Sequence, residues 1–282
     1  MKGKHIAITG PTAGIGRAAS IALARQGARL TLLCRNAGKA ELLQREILAA
    51  GGPKPSIVIM DMASLASVRA AGEALAAAGE PLDVLLNNAG VIHTTRRETV
   101  DGFEETLAVN HFAPFLLTGL LLPLLQKPGR ARIVNVASQA YTLVRDMGFD
   151  DMQASNSYKT FREYGRSKLA NILFTRSLDQ RLRGQGITVN ALHPGAVSTS
   201  LGTQNGLFGK LLPLLLKPFF RTPEQGAQTS IYLCSSDAVE SVSGEYFIDC
   251  KPKPTKPWAR DDAAADRLWG YTEDRLGFRF PQ

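Results

Sequence analysis

Short, unbroken apolar runs alternate along this chain with stretches where apolar residues recur every three or four positions. Residues 5–9 (HIAIT), 30–34, 56–60, 82–86, 131–137 and 187–192 are runs of the first kind, with a weaker one at 245–249. Strands without polar alternation are buried on both faces, which predicts a parallel sheet clad by helices. The intervening periodicity predicts helices at 14–26, 38–50 and 64–78, the last opened by Ser64 as a cap, and a final amphipathic helix at 261–276. A stiff, basic connector, KPKPTKP at 251–257, leads into that last helix. With no long linker, repeat or low-complexity segment, the economical reading is one doubly wound α/β domain over 1–250. Residues 251–282 then form a C-terminal extension of the same domain.

Composition narrows the classes. In 282 residues, 44% hydrophobic and 21% charged content describe an ordinary globule with a sizeable core. The net charge of +8 suits an anionic ligand, but the basic residues are dispersed and form no tail or patch of the kind that binds nucleic acid. Cys34, Cys234 and Cys250 lack metal or redox-motif spacing, and His5, His93, His111 and His193 are equally scattered. We therefore expect reduced thiols, a cytoplasmic setting and no metal. The strand pattern begins at once, so no signal peptide or amino-terminal anchor is expected. The apolar stretches 120–125 and 211–220 are broken by Pro123, Pro213, Lys217 and Pro218 and look too short to span a bilayer. The second could still touch a membrane surface.

Three features carry chemistry. Directly after the first strand comes TGPTAGIG, 9–16, opening a helix. Gly10 suits the tight turn, Gly14 a close approach of pyrophosphate to backbone, and Gly16 close packing of helix on sheet, with the helix amino terminus facing phosphate. About twenty residues on, where NAD-preferring dinucleotide folds carry an acid, this chain has Arg35. A guanidinium matches the 2′-phosphate of NADP(H), so NAD(H) is the less favoured cofactor. Tyr164 and Lys168 stand four residues apart, on one face of a helix, with Ser138 upstream at the end of an apolar run. Bringing a phenol from about 10 to about 7 takes roughly 4 kcal/mol, about what a unit charge at ~4 Å supplies at an effective dielectric of ~20.

Together these residues resemble the short-chain dehydrogenase/reductase family over nearly the whole chain. The glycine turn, Asn87-Asn-Ala-Gly90, Asn110, Ser138, Tyr164 with Lys168, and Pro194-Gly195 stand in the family's order. Within it the chain is most similar to the retinol-dehydrogenase-like branch. The stretches VNHFAPFLLT at 109–118, YGRSKLAN at 164–171, HPGAV at 193–197 and TPEQGAQT at 222–229 support this, as does the long interval from Ser138 to Tyr164. The resemblance implies a Rossmann-type fold in which Tyr164 exchanges a proton with the reacting oxygen. Lys168 would lower the Tyr164 pKa and hold the nicotinamide ribose, and Ser138 would hydrogen-bond the reacting oxygen. Asn110 would bind a relay water, although read by itself it fits a buried helix asparagine equally well. Gly10, Thr12, Gly14, Ile15 and Gly16 would hold the pyrophosphate, with Arg35 at the 2′-phosphate. Asp61 and Met62 would flank the adenine, although Asp61 alone also reads as a turn or capping residue. Asn88, Ala89 and Gly90 would line the ribose, and Pro194, Gly195, Val197 and Thr199 the nicotinamide. Pro11 and Thr12 depart from the nearest relatives, which often have Ala and Asn there.

The segment 200–222, apolar and punctuated by Gly and Pro, is expected to be a lid over a small lipophilic carbonyl or alcohol substrate, with 141–159 as the opposite wall. A homo-oligomer, in the simplest case a dimer, is expected through the helices beginning near Asn110 and Tyr164, whose apolar residues exceed one face. The alternatives are a catalytically silent NADP-binding regulator of the same fold, or a lyase or isomerase using the same Tyr and Lys.

Overall fold

The computed structural model describes residues 1–197 and 221–281. Its core is a single sheet of eight strands in the order β3-β2-β1-β4-β5-β6-β7-β8. The strands are β1 (His5–Thr9), β2 (Arg29–Cys34), β3 (Ser56–Ile59), β4 (Val84–Asn87), β5 (Ala131–Val136), β6 (Ile187–His193), β7 (Tyr246–Ile248) and β8 (Lys251–Pro252). All neighbouring pairs through β7 are parallel, and only the β7–β8 pair is antiparallel. Strands β1, β4 and β5 are buried almost throughout, as unbroken apolar runs require when helices cover both faces. The order reverses between β1 and β4, and their carboxyl ends open the crevice where ligands bind in such sheets.

The helices are α1 (Gly14–Arg25), α2 (Ala37–Ala49), α3 (Leu65–Ala78), α4 (Glu105–Gln126), α5 (Thr160–Arg181), α6 (Pro223–Ser235) and α7 (Asp262–Leu276). Ser64 caps α3 by accepting from Ser67 N–H, as its position in the sequence predicts. Two expectations change. The connector at 251–257 begins with β8, a two-residue edge strand whose Pro252 leaves no N–H for further pairing. The apolar run 120–125 is not a broken fragment, because α4 passes through Pro123 for 22 residues. By length and hydropathy α4 is long and apolar enough to cross a membrane, but 89% of its apolar 18-residue window is buried inside this fold, as in the core helix of a globule.

Helices α4 and α5 are apolar beyond the face they turn to the sheet, and α7 with the tail after it lies on that surplus. Trp269 of α7 meets Phe115 of α4 edge-on at 4.8 Å, and Phe280 meets both at 5.3 and 4.9 Å. A Cβ at Gly119 would stand 2.6 Å from the Phe278 ring, so the glycine is what lets the tail seat. The Arg181 guanidinium of α5 stacks on Trp269 at 4.3 Å. Pairing of two copies through α4 and α5 would have to displace this cover.

Candidate active site

The carboxyl ends of β1, β2, β4, β5 and β6 open into one cleft of about 710 Å³. At its first end the glycine turn holds Gly10 at φ +61° and Gly14 at φ +51°, conformations that favour glycine. A Cβ at Gly16 would lie 2.3 Å from Gly10 O and 2.5 Å from Asn88 Nδ2, so helix and turn could not close on any other residue. Ala13 gives α1 no side-chain cap, which leaves the first N–H groups of the helix for a ligand. Asn88 holds the turn from β4: its Nδ2 donates to Thr9 O at 2.9 Å and Gly10 O at 3.1 Å. Thr9 Oγ1 in return accepts from the Asn88 and Ala89 N–H groups. Asn88 thus lines the cleft and also staples it.

Thr12, Ile15, Arg35, Asp61, Met62, Ala89 and Gly90 all line the same cleft. Arg35 is exposed at the end of β2, and among the described residues no hydrogen bond or ion pair engages it. Asp61 does two things: it borders the cleft, and its Oδ1 accepts from Ala63 N–H at 3.0 Å, the turn role that the sequence left open.

At the other end Ser138 follows β5, and Tyr164 and Lys168 project from α5. Tyr164 is hydrogen-bonded to the Ser138 hydroxyl, yet burial outweighs that bond and pushes its phenol up to about 12. Lys168 Nζ lies 5.6 Å from the Tyr164 ring centroid and donates to Val136 O at 3.0 Å. Burial brings the ammonium down to about 8. Lys168 is not among the influences on this phenol: the ammonium faces the Tyr164 ring and the Val136 carbonyl, and burial acts on both groups. At neutral pH Tyr164 is a neutral phenol, a proton donor.

Asn110 sits in a π-helical turn, Ala108–Phe112, inside α4. Its side chain is held at both ends: Oδ1 accepts from Val91 N–H, and Nδ2 spends both donors on Val91 O and Ser167 Oγ. The buried-asparagine reading describes how the side chain is seated. Gly90 lies over this group, where a Cβ would stand 3.3 Å from Asn110 Oδ1 and 3.4 Å from Lys168 Nζ.

Pro194, Gly195 and Val197 close the cleft from the end of β6. Thr199 and residues 200–220 of the expected lid lie outside the described residues; of that segment Arg221 and Thr222 are described. Several groups escaped sequence reasoning. The Val136 carbonyl anchors Lys168, and Ser167 pins Asn110. His193 borders the cleft, and its Nδ1 accepts from Gln139 N–H at 3.2 Å. Burial and the nearby Arg221 bring this imidazole down to about 4, so it is neutral. A carbonyl has no sequence signature, but His193 beside Pro194-Gly195 was a signal that could have been used.

The short chain dehydrogenase profile matches residues 4–207. This chain belongs to the short-chain dehydrogenase family. Human retinol dehydrogenase 14 is 45% identical, with 98% of this chain and 87% of that protein covered. Human retinol dehydrogenase 12 is 41% identical, covering 99% and 88%. An uncharacterized protein from Mycobacterium Paratuberculosis shares the fold at a TM-score of 0.79 and 29% identity, over 100% of this chain and 96% of the other. The Pseudomonas aeruginosa RhlG/NADP active-site complex superposes at a TM-score of 0.68 and 25% identity, over 88% and 94%. As a short-chain dehydrogenase of the retinol-dehydrogenase-like branch, the chain is a nicotinamide-dependent oxidoreductase acting between CH–OH and C=O. The residues present fit that cofactor: side-chain-free glycines at an uncapped helix start, and an open cleft running from Arg35 to Tyr164.

Proposed function

We propose that this chain is an NADP(H)-dependent oxidoreductase of small lipophilic carbonyls and alcohols, with Tyr164 as acid and base. The observation that carries the reading is the pairing of the Tyr164 phenol with Ser138 at the end of the glycine-lined cleft. When bound, the nicotinamide supplies or accepts the hydride; the chain supplies orientation and the proton. In the reducing direction the neutral Tyr164 phenol donates its proton to the carbonyl oxygen, and the Ser138 hydroxyl shares the charge that develops there. Lys168 spends one N–H on Val136 O, and the ammonium keeps two donors for groups in the cleft. Arg35, exposed and without an ion-pair partner among the described residues, suits a 2′-phosphate. The apolar walls at Ile92, Val109 and Phe161 suit a lipophilic substrate, and the names of the retinol dehydrogenase relatives point the same way.

A screen of apolar aldehydes, ketones and alcohols, read as NADPH or NADH absorbance, tests the proposal. We expect turnover with NADP(H) ahead of NAD(H), and a reversal or collapse of that preference in Arg35→Asp. Tyr164→Phe should bind cofactor with its affinity intact and turn over at least a hundredfold more slowly, roughly the contribution of a general acid. Turnover retained in Tyr164→Phe would exclude the proton role.

A further inference from the structure

Arg221 joins three parts of the chain beside the nicotinamide-side turn. Its N–H donates to Ala196 O at 2.7 Å, and it forms a parallel bridge with Val197. Its side chain lies along Gly195: a Cβ there would stand 2.6 Å from Cδ, 2.7 Å from Nε and 2.9 Å from Cζ of the arginine. Nη1 then donates to Asp249 Oδ1 at 2.5 Å. Asp249 and Cys250 form the turn between β7 and β8 with φ of 53° and 59°, left-handed conformations that residues other than glycine adopt at a cost. Cys250 N–H is tied in turn to Thr229 Oγ1 of α6 at 3.3 Å.

We infer that Arg221, held by Asp249, is a positioning residue that confines the Pro194-Gly195 turn against the nicotinamide end of the cleft. The inference rests on the dinucleotide reading above. Gly195 has φ +88° and no side chain, so its own torsions do little to hold the turn in one place. The flat arginine stem supplies the missing wall, and the carboxylate fixes where that stem lies. Stability alone does not account for the pair. Arg221 and Asp249 side chains are 37% and 55% exposed, and ion pairs so placed contribute little to folding. The same guanidinium stands near enough to His193 to act on its charge, and His193 Nδ1 accepts from Gln139 N–H, next to Ser138.

The test compares two ligands that differ only in the nicotinamide: NADPH and 2′-phospho-ADP-ribose, or NADH and ADP-ribose if the wild type binds those instead. In Asp249→Asn and Arg221→Gln we expect the intact dinucleotide to bind about tenfold more weakly. The truncated ligand should stay within about twofold, and Arg221→Lys should recover part of the loss. Thermal unfolding should shift by no more than a few degrees, as for an exposed pair. Unchanged dinucleotide affinity in both variants would overturn the inference. So would equal losses for both ligands, which would make the clasp a general scaffold. A wild type that binds none of the four ligands would instead remove the cofactor reading, and this inference with it.

Discussion

Lys168 shows how far a group proposed to serve the reaction departs from what stability alone would choose. Its pKa falls from an unfolded value near 10.5 to about 8 in the fold, so the unfolded chain binds the proton more tightly between those values. The sign follows. Below about pH 8 the buried charge costs the native state roughly 3 kcal/mol, and that cost is relieved as pH rises from about 8 to 10.5. Lys168→Met should therefore raise the melting temperature at pH 7 while removing activity; a lower melting temperature would show that the hydrogen bond to Val136 O matters more than desolvation. Tyr164 runs the other way. With its phenol up at about 12, oxidation of an alcohol needs a proton to leave first, so kcat/KM for oxidation should climb with pH across the alkaline range. Reduction should be flat up to about pH 8 and fall above it, as the Lys168 ammonium loses the proton that lets it serve the cleft. Initial rates in both directions across pH would check this. The pair's identity was legible because both residues occur on one helix face. Its electrostatics were not, because they depend on how much water each group has lost.

The elements that hold these groups depend on buried polar contacts that periodicity does not reveal. Near the start of α5, Glu163 and Arg166 are both buried and bonded at 2.8 Å. Arg166 Nε also donates to Met147 O, and Nη2 to Gly148 O, tying the loop before α5 onto the helix that carries Tyr164. Arg166→Ala should destabilise the fold by about 3–5 kcal/mol, because Glu163 would keep only its partly exposed partner Arg162. Denaturant unfolding would measure it, and Arg166→Lys should restore little, since three donors on one nitrogen cannot reach the separate acceptors on Met147, Glu163 and Gly148 that the guanidinium fork spans. The helix boundaries themselves were largely legible, because caps such as Ser64 and the 3.6-residue repeat are local signals. The π turn around Asn110 was not, since nothing in VNHF marks an extra residue in a turn.

At the scale of the whole molecule, α7 changes the expectation of pairing. Its Trp269, with Phe278 and Phe280 after it, occupies apolar ground on α4 and α5 that looks like an interface when those helices are read alone. Self-association through that ground requires α7 to leave. Light scattering is therefore expected to give a mass near the 30.4 kDa of one chain. Trp269→Ala should cost about 3–5 kcal/mol and shift the mass upward as the patch opens. A stable dimer in the wild type would mean that another surface pairs.

The alternation of buried strands and amphipathic helices, the strand-anchored glycines, Arg35 and the Ser138, Tyr164, Lys168 set were all determined by the sequence itself. Most are local patterns, set by spacing along one element or one turn, and Ser138 joined the Tyr164 and Lys168 pair through the family's order of motifs. Tertiary structure alone decided the proton state of Tyr164, the seat of Lys168 on Val136 O, the Arg221–Asp249 clasp and the cover that α7 lays on α4 and α5. Those depend on burial and on contacts between residues far apart in the chain, and such contacts leave no period in the sequence to be read.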